Sequence, residues 1–318
     1  MVRAIGVRAA ILVVSLLVAS VVVFLACAAL PGDVAQVILG QNADPAAVEA
    51  LRKELGTDQS LIVQYLDWMG GMITGDFGRS YLTGLPVAAD ISDRLGVTLW
   101  LVIGGMLLAL VVAIPVGMLA AVRRRHVAGF LASTLSQVGL AVPAFWAGIV
   151  LVLIFAVRLR WLPANGYVPL LTNPGQWFSH LVLPVVSLAI VQGAVLVRYI
   201  RSAFIDVLGE DHLRTARAIG WPSFAALLRH GVRNASVQVV TVLGLQLSTL
   251  LVGAIVIEQV FTLNGLGMRL LGAVAERDLV VVQGIVMVLV AAVLLINFLV
   301  DLSYLAIDPR LRTRGSRS

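Results

Sequence analysis

Residues able to do covalent, metal or phosphate chemistry are few in this 318-residue chain, and badly spaced for it. The one lysine, Lys53, precedes Glu54 rather than Ser or Thr, so no phosphate-binding P-loop can form. His126, His180, His212 and His230 are dispersed, with no partner at i+3 or i+4, and read as loop or interfacial residues rather than metal ligands. Cys27 is the single cysteine, which allows no internal disulfide. An intramembrane protease needs a buried nucleophile or paired aspartates, and ion-coupled carriers usually need intramembrane carboxylates or broken helices. The apolar runs supply no such acids, because Glu258 and Asp301 fall only at their ends.

What remains is polarity without charge. At about 100° per residue, Gln238, Thr241, Ser248 and Thr249 fall within about 100° of one another on one helical face, and Gln246 belongs to the same run. Gln283, Asn297 and Asp301 share a second face within about 40°. Such stripes line a hydrated path for a polar solute or bond helix to helix, and at this stage both readings stand.

The elements that must carry these residues belong in lipid. Hydrophobic residues make up 60% of the chain and charged ones 13%, against ~25% charged in soluble domains. The mean hydropathy is +0.99. A disordered chain, a disulfide scaffold and a typical cytosolic enzyme are excluded. Six runs are long enough to cross ~30 Å of hydrocarbon: Ile11–Leu30, Thr98–Val122, Ala132–Val157, Leu181–Ile200, Val237–Phe261 and Leu279–Val300. The first also has the arginines and small residues of a signal peptide, and Phe24-Leu25-Ala26-Cys27 faintly resembles a lipoprotein cleavage site. Its length favours a retained span.

Arginines orient the spans. Fifteen flank one side: Arg3, Arg8, Arg123–Arg125, six between Arg198 and Arg233, and four from Arg310 onward. Only Arg158, Arg160, Arg269 and Arg277 occupy the opposite short loops. The positive-inside rule then puts both termini in the cytoplasm. Arginines in such loops do not make a nucleic-acid interface. The 31–97 connection carries nine acids and four bases and is expected to form a small outer cap, with Asp44 capping a helix over Pro45–Leu55.

The chain is therefore expected to be an all-α integral membrane protein. Its divisions are a cytoplasmic N-terminus and first span (1–30), an extracytoplasmic subdomain (31–97), a five-helix core (98–309) and a basic cytoplasmic tail (310–318). Within the core, 201–234 reads as a cytoplasmic helix–turn–helix. A run rich in Ala and Arg stops at Gly220, which suits a C-terminal cap, and Pro222 can start the next helix, continuing over Phe224–Asn234. Lipid phosphates would satisfy a basic loop here, but two capped helices suggest a docking element for another protein.

Arg214-Thr215-Ala216-Arg217-Ala218-x-Gly220, followed by Leu228-Arg229-His230-x-x-Arg233-Asn234, resembles the cytoplasmic coupling loop of the permease subunits of ABC importers for dipeptides, oligopeptides and nickel. The resemblance covers nearly the whole chain. It includes Leu30-Pro31-Gly32-Asp33, Gly75-Asp76-Phe77-Gly78-Arg79-Ser80, Val142-Pro143-Ala144-Phe145-Trp146, Leu162-Pro163-Ala164-Asn165-Gly166-Tyr167 and Asp308-Pro309-Arg310. Arg214-Thr215-Ala216 stands where the general importer motif has Glu-Ala-Ala, and the Pro common after the Arg-Asn pair is missing.

This resemblance implies a type I ABC importer permease fold with six transmembrane helices. It implies a peptide path shared with a homologous second permease, two cytoplasmic ATPases carrying ATP and Mg, and an extracytoplasmic solute-binding protein. No cofactor is expected on this chain, and the only further partner is membrane lipid. Asp211, Arg214, Thr215, Ala216, Arg217, Ala218 and Gly220 would couple to the ATPases. Gln238, Thr241, Gln246, Ser248, Thr249, Gln283 and Asn297 would line the path. Asp76, Phe77, Gly78 and Arg79 would help receive the binding protein. A nickel or other small polar cargo is the alternative, followed by a stand-alone secondary transporter.

Overall fold

The structure is a computed structural model that describes residues 2–29, 34–40, 43–227, 229 and 232–307. Among these, every regular element is helical, and one isolated bridge pairs Arg79 with Pro86. The helices are α1 (Val2–Ala28), α2 (Val34–Leu39), α3 (Pro45–Leu55), α4 (Leu61–Thr74), α5 (Val87–Val122), α6 (Val127–Ala141) and α7 (Ala144–Leu151), which runs on as π-helical turns over Val152–Arg158. They continue as α8 (Pro174–Leu208), α9 (Asp211–Ala218), α10 (Ser223–Ala226), α11 (Val232–Val260), α12 (Leu266–Glu276) and α13 (Leu279–Ile307).

Among the described residues, five helices are long and apolar enough to cross a membrane, in α1, α5, α8, α11 and α13. The expected third span is not one straight helix: α6 and the α7 segment meet at a bend of 98°, and the spans number six if that pair is counted as one. Pro143 explains the break. It offers no backbone N–H and its ring forces the preceding residue out of the helical region, and Val142 is extended at φ −89°, ψ 118°. Pro115 and Pro184, by contrast, lie inside the continuous helices α5 and α8.

Helix ends follow local chemistry. Asp44 Oδ1 accepts the Ala46 N–H at 3.1 Å and Pro45 fills the first turn, so α3 has the expected bounds. Asn173 Oδ1 accepts from Gln176 N at 3.1 Å to start α8. Most of the long helices outrun their expected spans: α1 begins at Val2 rather than Ile11, α5 at Val87 rather than Thr98 and α11 at Val232 rather than Val237, α8 runs from Pro174 to Leu208 rather than from Leu181 to Ile200, and α13 ends at Ile307 rather than Val300.

The chain forms two compact units. One contains Met1–Arg8, Val97–Asn264 and Ile296–Ser318; the other contains Ala9–Gly96 and Gly265–Leu295. In the first unit α8 packs against α6, α7 and α11. Helices approach closely where a side chain is missing. A Cβ on Gly117 would lie 2.7 Å from Ile200 Cγ2, and one on Gly244 would lie 2.6 Å from Val300 Cγ2. The second unit closes around buried Cys27, Val87, Ile91, Leu266, Ala273, Val281, Val282 and Ile285.

Candidate functional site

In the first unit, the segment after α8 forms a compact hairpin. Asp211 opens α9, where a carboxylate favours the helix N-terminus. The Thr215 hydroxyl donates to the Asp211 carbonyl at 3.0 Å. Leu213 and Ala216, three residues apart, point inward and are buried, as are Ala226 and Leu227 beyond the turn. Gly220 ends α9 at φ +99°, a left-handed conformation that glycine adopts without penalty. The Trp221 N–H returns to the Ala216 carbonyl at 3.1 Å, fixing the turn.

The outward face consists of Thr215, Ala218, Ile219, Gly220 and Trp221. Ile219 is 73% exposed, and nothing lies within 4 Å of where a Gly220 Cβ would be. The Arg229 guanidinium covers the Trp221 ring at 5.8 Å, a cation–π arrangement. Sequence reading did not single out Ile219 or Trp221, although both flank the glycine that makes the turn. Ala216, expected at a partner surface, is instead turned into its own unit. The side chains of Arg214 and Arg217 lie outside the described residues. Of the second helix expected over Phe224–Asn234, α10 covers the stretch to Ala226, Leu227 and Arg229 stand in π-helical turns, α11 takes up the chain from Val232, and residues 228, 230 and 231 lie outside the described residues.

The polar residues of α11 are less available than their spacing suggested. Ser248 and Thr249 donate to the carbonyls of Gly244 and Leu245, at 3.2 and 3.1 Å, so their hydroxyls are satisfied within their own helix. Gln238 and Thr241 are exposed and Gln246 is half-buried; Asn297, on α13, is exposed. Gln283 belongs to the second unit.

Two polar side chains missed in the sequence face the interior of the first unit. Gln192, on α8, is buried, donates from Nε2 to the Gln246 carbonyl at 3.5 Å, and leaves its Oε1 without a partner. Glu258 is fully buried in the last turn of α11, where Thr98 Oγ1 donates to its Oε1 at 2.6 Å. Its place near a span end had suggested only an interfacial acid. The signal was available, because Glu258 follows Ile257 and precedes Val260-Phe261, a setting too apolar for an unpaired charge.

In the second unit, the Asp76–Arg79 stretch is a tight turn. Asp76 Oδ1 accepts the Gly78 N–H at 2.9 Å, and the Gly78 carbonyl accepts the Val87 N–H at 3.0 Å. Phe77 packs against the unit's core, and a Cβ on Gly78 would stand 3.0 Å from Val280 Cγ1. Asp76 and Arg79 are exposed, with Arg79 donating to the Gly84 carbonyl at 3.1 Å. Just beyond, Ser80 Oγ and the Tyr81 N–H both donate to the fully buried Asp278. Burial, with the charge of Asp278 beside it, pushes the Tyr81 phenol above its ordinary range.

Helices long and apolar enough to cross a membrane, with a compact hairpin set between two of them, are the architecture of an integral membrane protein. Residues 113–313 match the family described as the inner membrane component of binding-protein-dependent transport systems, and residues 1–102 match its N-terminal companion. The chain belongs to that family. It is 41% identical over 301 residues to a Brucella abortus (strain 2308) protein that carries the name of a peptide transport system permease, covering 93% of this chain and 95% of that one. It is 40% identical over 301 residues to the glutathione transport system permease GsiC of Escherichia coli K12, covering 95% and 96%. Among solved structures it resembles an inward-facing MetNI methionine ABC transporter, with a TM-score of 0.57, 18% identity, and coverage of 69% of this chain and 96% of that chain.

Proposed function

We propose that this permease forms the path by which an ABC importer moves peptides into the cytoplasm. The observation that carries the reading is the α9–Gly220–α10 hairpin, whose inner residues anchor it to its unit while Thr215, Ala218, Ile219 and Trp221 face outward. Two cytoplasmic ATPases grip this hairpin and supply ATP and Mg, so the chain itself hydrolyses nothing and holds no cofactor. Movement imposed on α9 passes into α8, separated from it only by Gly209 and Glu210, and into α11 beyond the hairpin. A homologous second permease completes the path, and both termini face the cytoplasm, in keeping with the arginine distribution.

A solute-binding protein delivers cargo to the outer side, where Asp76 and Arg79 are the accessible members of the expected receiving motif. Peptide cargo is supported by the names of the two relatives. It is also supported by a path polar through Gln238, Thr241, Gln246 and Asn297 rather than through a charged ligand cluster. The test is ATP-dependent uptake of labelled dipeptides and glutathione by vesicles holding the chain with its ATPases and binding protein. Saturable uptake that Gly220→Val abolishes, with insertion intact, supports the reading. Uptake by the chain without any ATPase would sink it.

A further inference from the structure

Helix α4 lies in the connection expected to form a small outer cap, and its contacts place it beside the apolar length of α1. The Tyr65 hydroxyl is 2.9 Å from Ser20 Oγ, and the rings of Tyr65 and Trp68 lie 5.5 and 5.9 Å from that of Phe24. Ser20 is about 12 Å along the axis from the Ala28 end of α1, at 1.5 Å per residue. The last turns of α4 go further. Met69, Met72 and Ile73 share a groove of about 370 Å³ with Leu16 and Leu17 of α1 and Met287 of α13. Leu16 is about 18 Å from the helix end and Met287 about 12 Å from the start of α13. Ile5–Ala28 is long and apolar enough to cross a membrane, and a helix packed this far along it is placed at the depth of lipid hydrocarbon.

Its faces agree with that depth. Tyr65, Trp68 and Met72 turn toward α1. Ile62 and Leu66, with Ile73 at the rim of the groove, fall within about 40° of one another, and are 73%, 60% and 78% exposed. Thr74, Asp67 and Gln64 lie roughly 100–180° around the axis from the centre of that face. A helix with a separate apolar face, a polar face and aromatics between them is built to lie in a membrane interface. At 14 residues it extends only about 21 Å, too little to cross. Val14, Val18 and Val22 of α1 are exposed in the same way along the apolar length of that helix.

We propose that α4 is embedded in the leaflet at the C-terminal end of α1, the outer one in the orientation given above, with Ile62, Leu66 and Ile73 against acyl chains. The inference does not depend on the cargo, so uptake results and depth results fail separately. The full-length chain, assembled with its importer in phosphatidylethanolamine–phosphatidylglycerol vesicles, is labelled with a nitroxide at Leu66→Cys, Asp67→Cys or Ile73→Cys. Buried Cys27 is left in place and the unsubstituted chain gives the background. Collision with oxygen and with a water-soluble nickel chelate is then measured, with and without the binding protein. At positions 66 and 73 oxygen collides severalfold more, relative to the chelate, than at 67. Chelate access at 66 and 73 equal to that at 67 overturns the proposal. So does exclusion of both reagents there, which would mean that a protein covers the face. An impermeant thiol reagent added outside sealed vesicles to Asp67→Cys reports the leaflet independently.

Discussion

Arg269 Nε donates to Asp90 Oδ2 at 2.7 Å, joining α12 to the first turn of α5. The same guanidinium reaches Asp278 Oδ2 at 3.6 Å, at the threshold of α13. Asp90 takes a second donor from Arg94 at 2.5 Å. One arginine, 13% exposed, thus ties three helices of the second unit around a carboxylate with no exposure at all.

Arg269→Gln leaves Asp278 without its counter-charge. Removing one member of a buried pair costs on the order of 3 kcal/mol. The variant loses thermal stability in detergent, read by fluorescence-detected size exclusion. The added substitution Asp278→Asn recovers much of the loss, because Ser80 and the Tyr81 N–H can still bond an amide oxygen. A doubly substituted chain as unstable as Arg269→Gln alone would disprove the charge argument.

Thr98→Val removes the hydroxyl that donates to Glu258. Leaving a buried acceptor without its hydrogen bond costs about 1–3 kcal/mol. Stability falls by that order, and Thr98→Ser, which keeps the donor, stays close to the parent. Equal losses for valine and serine would point to packing instead.

Ile219→Asp places a charge in the middle of the outward face of the hairpin without touching Leu213 or Ala216. The expected result is normal membrane abundance with loss of ATPase co-purification and of uptake. Retained co-purification would remove Ile219 from the partner surface.

Gly117→Val forces a side chain into the space held by Ile200, where even a Cβ would stand at 2.7 Å. Overpacking of this kind costs about 1–3 kcal/mol. Pairing it with Ile200→Ala restores stability, and failure to do so would show that the helices are held apart by something else.

Much of this architecture was legible because lipid imposes a simple rule: spans must be long and apolar, and α1, α5, α8, α11 and α13 obey it. The Gly220 turn was readable as well, since a glycine followed by Trp-Pro leaves little choice of backbone. Depth and facing were not. Ser248 and Thr249 have the spacing of a wall, yet their hydroxyls bond backward along α11, a choice that periodicity cannot express. Ala216 and Ala218 are the same residue type two positions apart, and only packing sends one inward and the other out. The acids misled in the same way. Glu258 and Asp278 are ordinary letters near helix ends, and their complete burial rests on Thr98 and Ser80, both distant in sequence, and on Arg269, reached only because α12 folds back.

The elbow at Pro143 bears on how the chain enters the membrane. Each arm, Val127–Ala141 and Ala144–Arg158, extends only about 22 Å at 1.5 Å per residue, short of ~30 Å of hydrocarbon. Neither arm is long enough to cross by itself: together they make one bent crossing, or a loop that returns to the side from which it entered. Whether the total is odd or even therefore turns on one peptide unit. A reporter fused after Arg125 and another after Trp161 measure that parity directly. Opposite sides make the count even and bring the two ends of the protein to the same face.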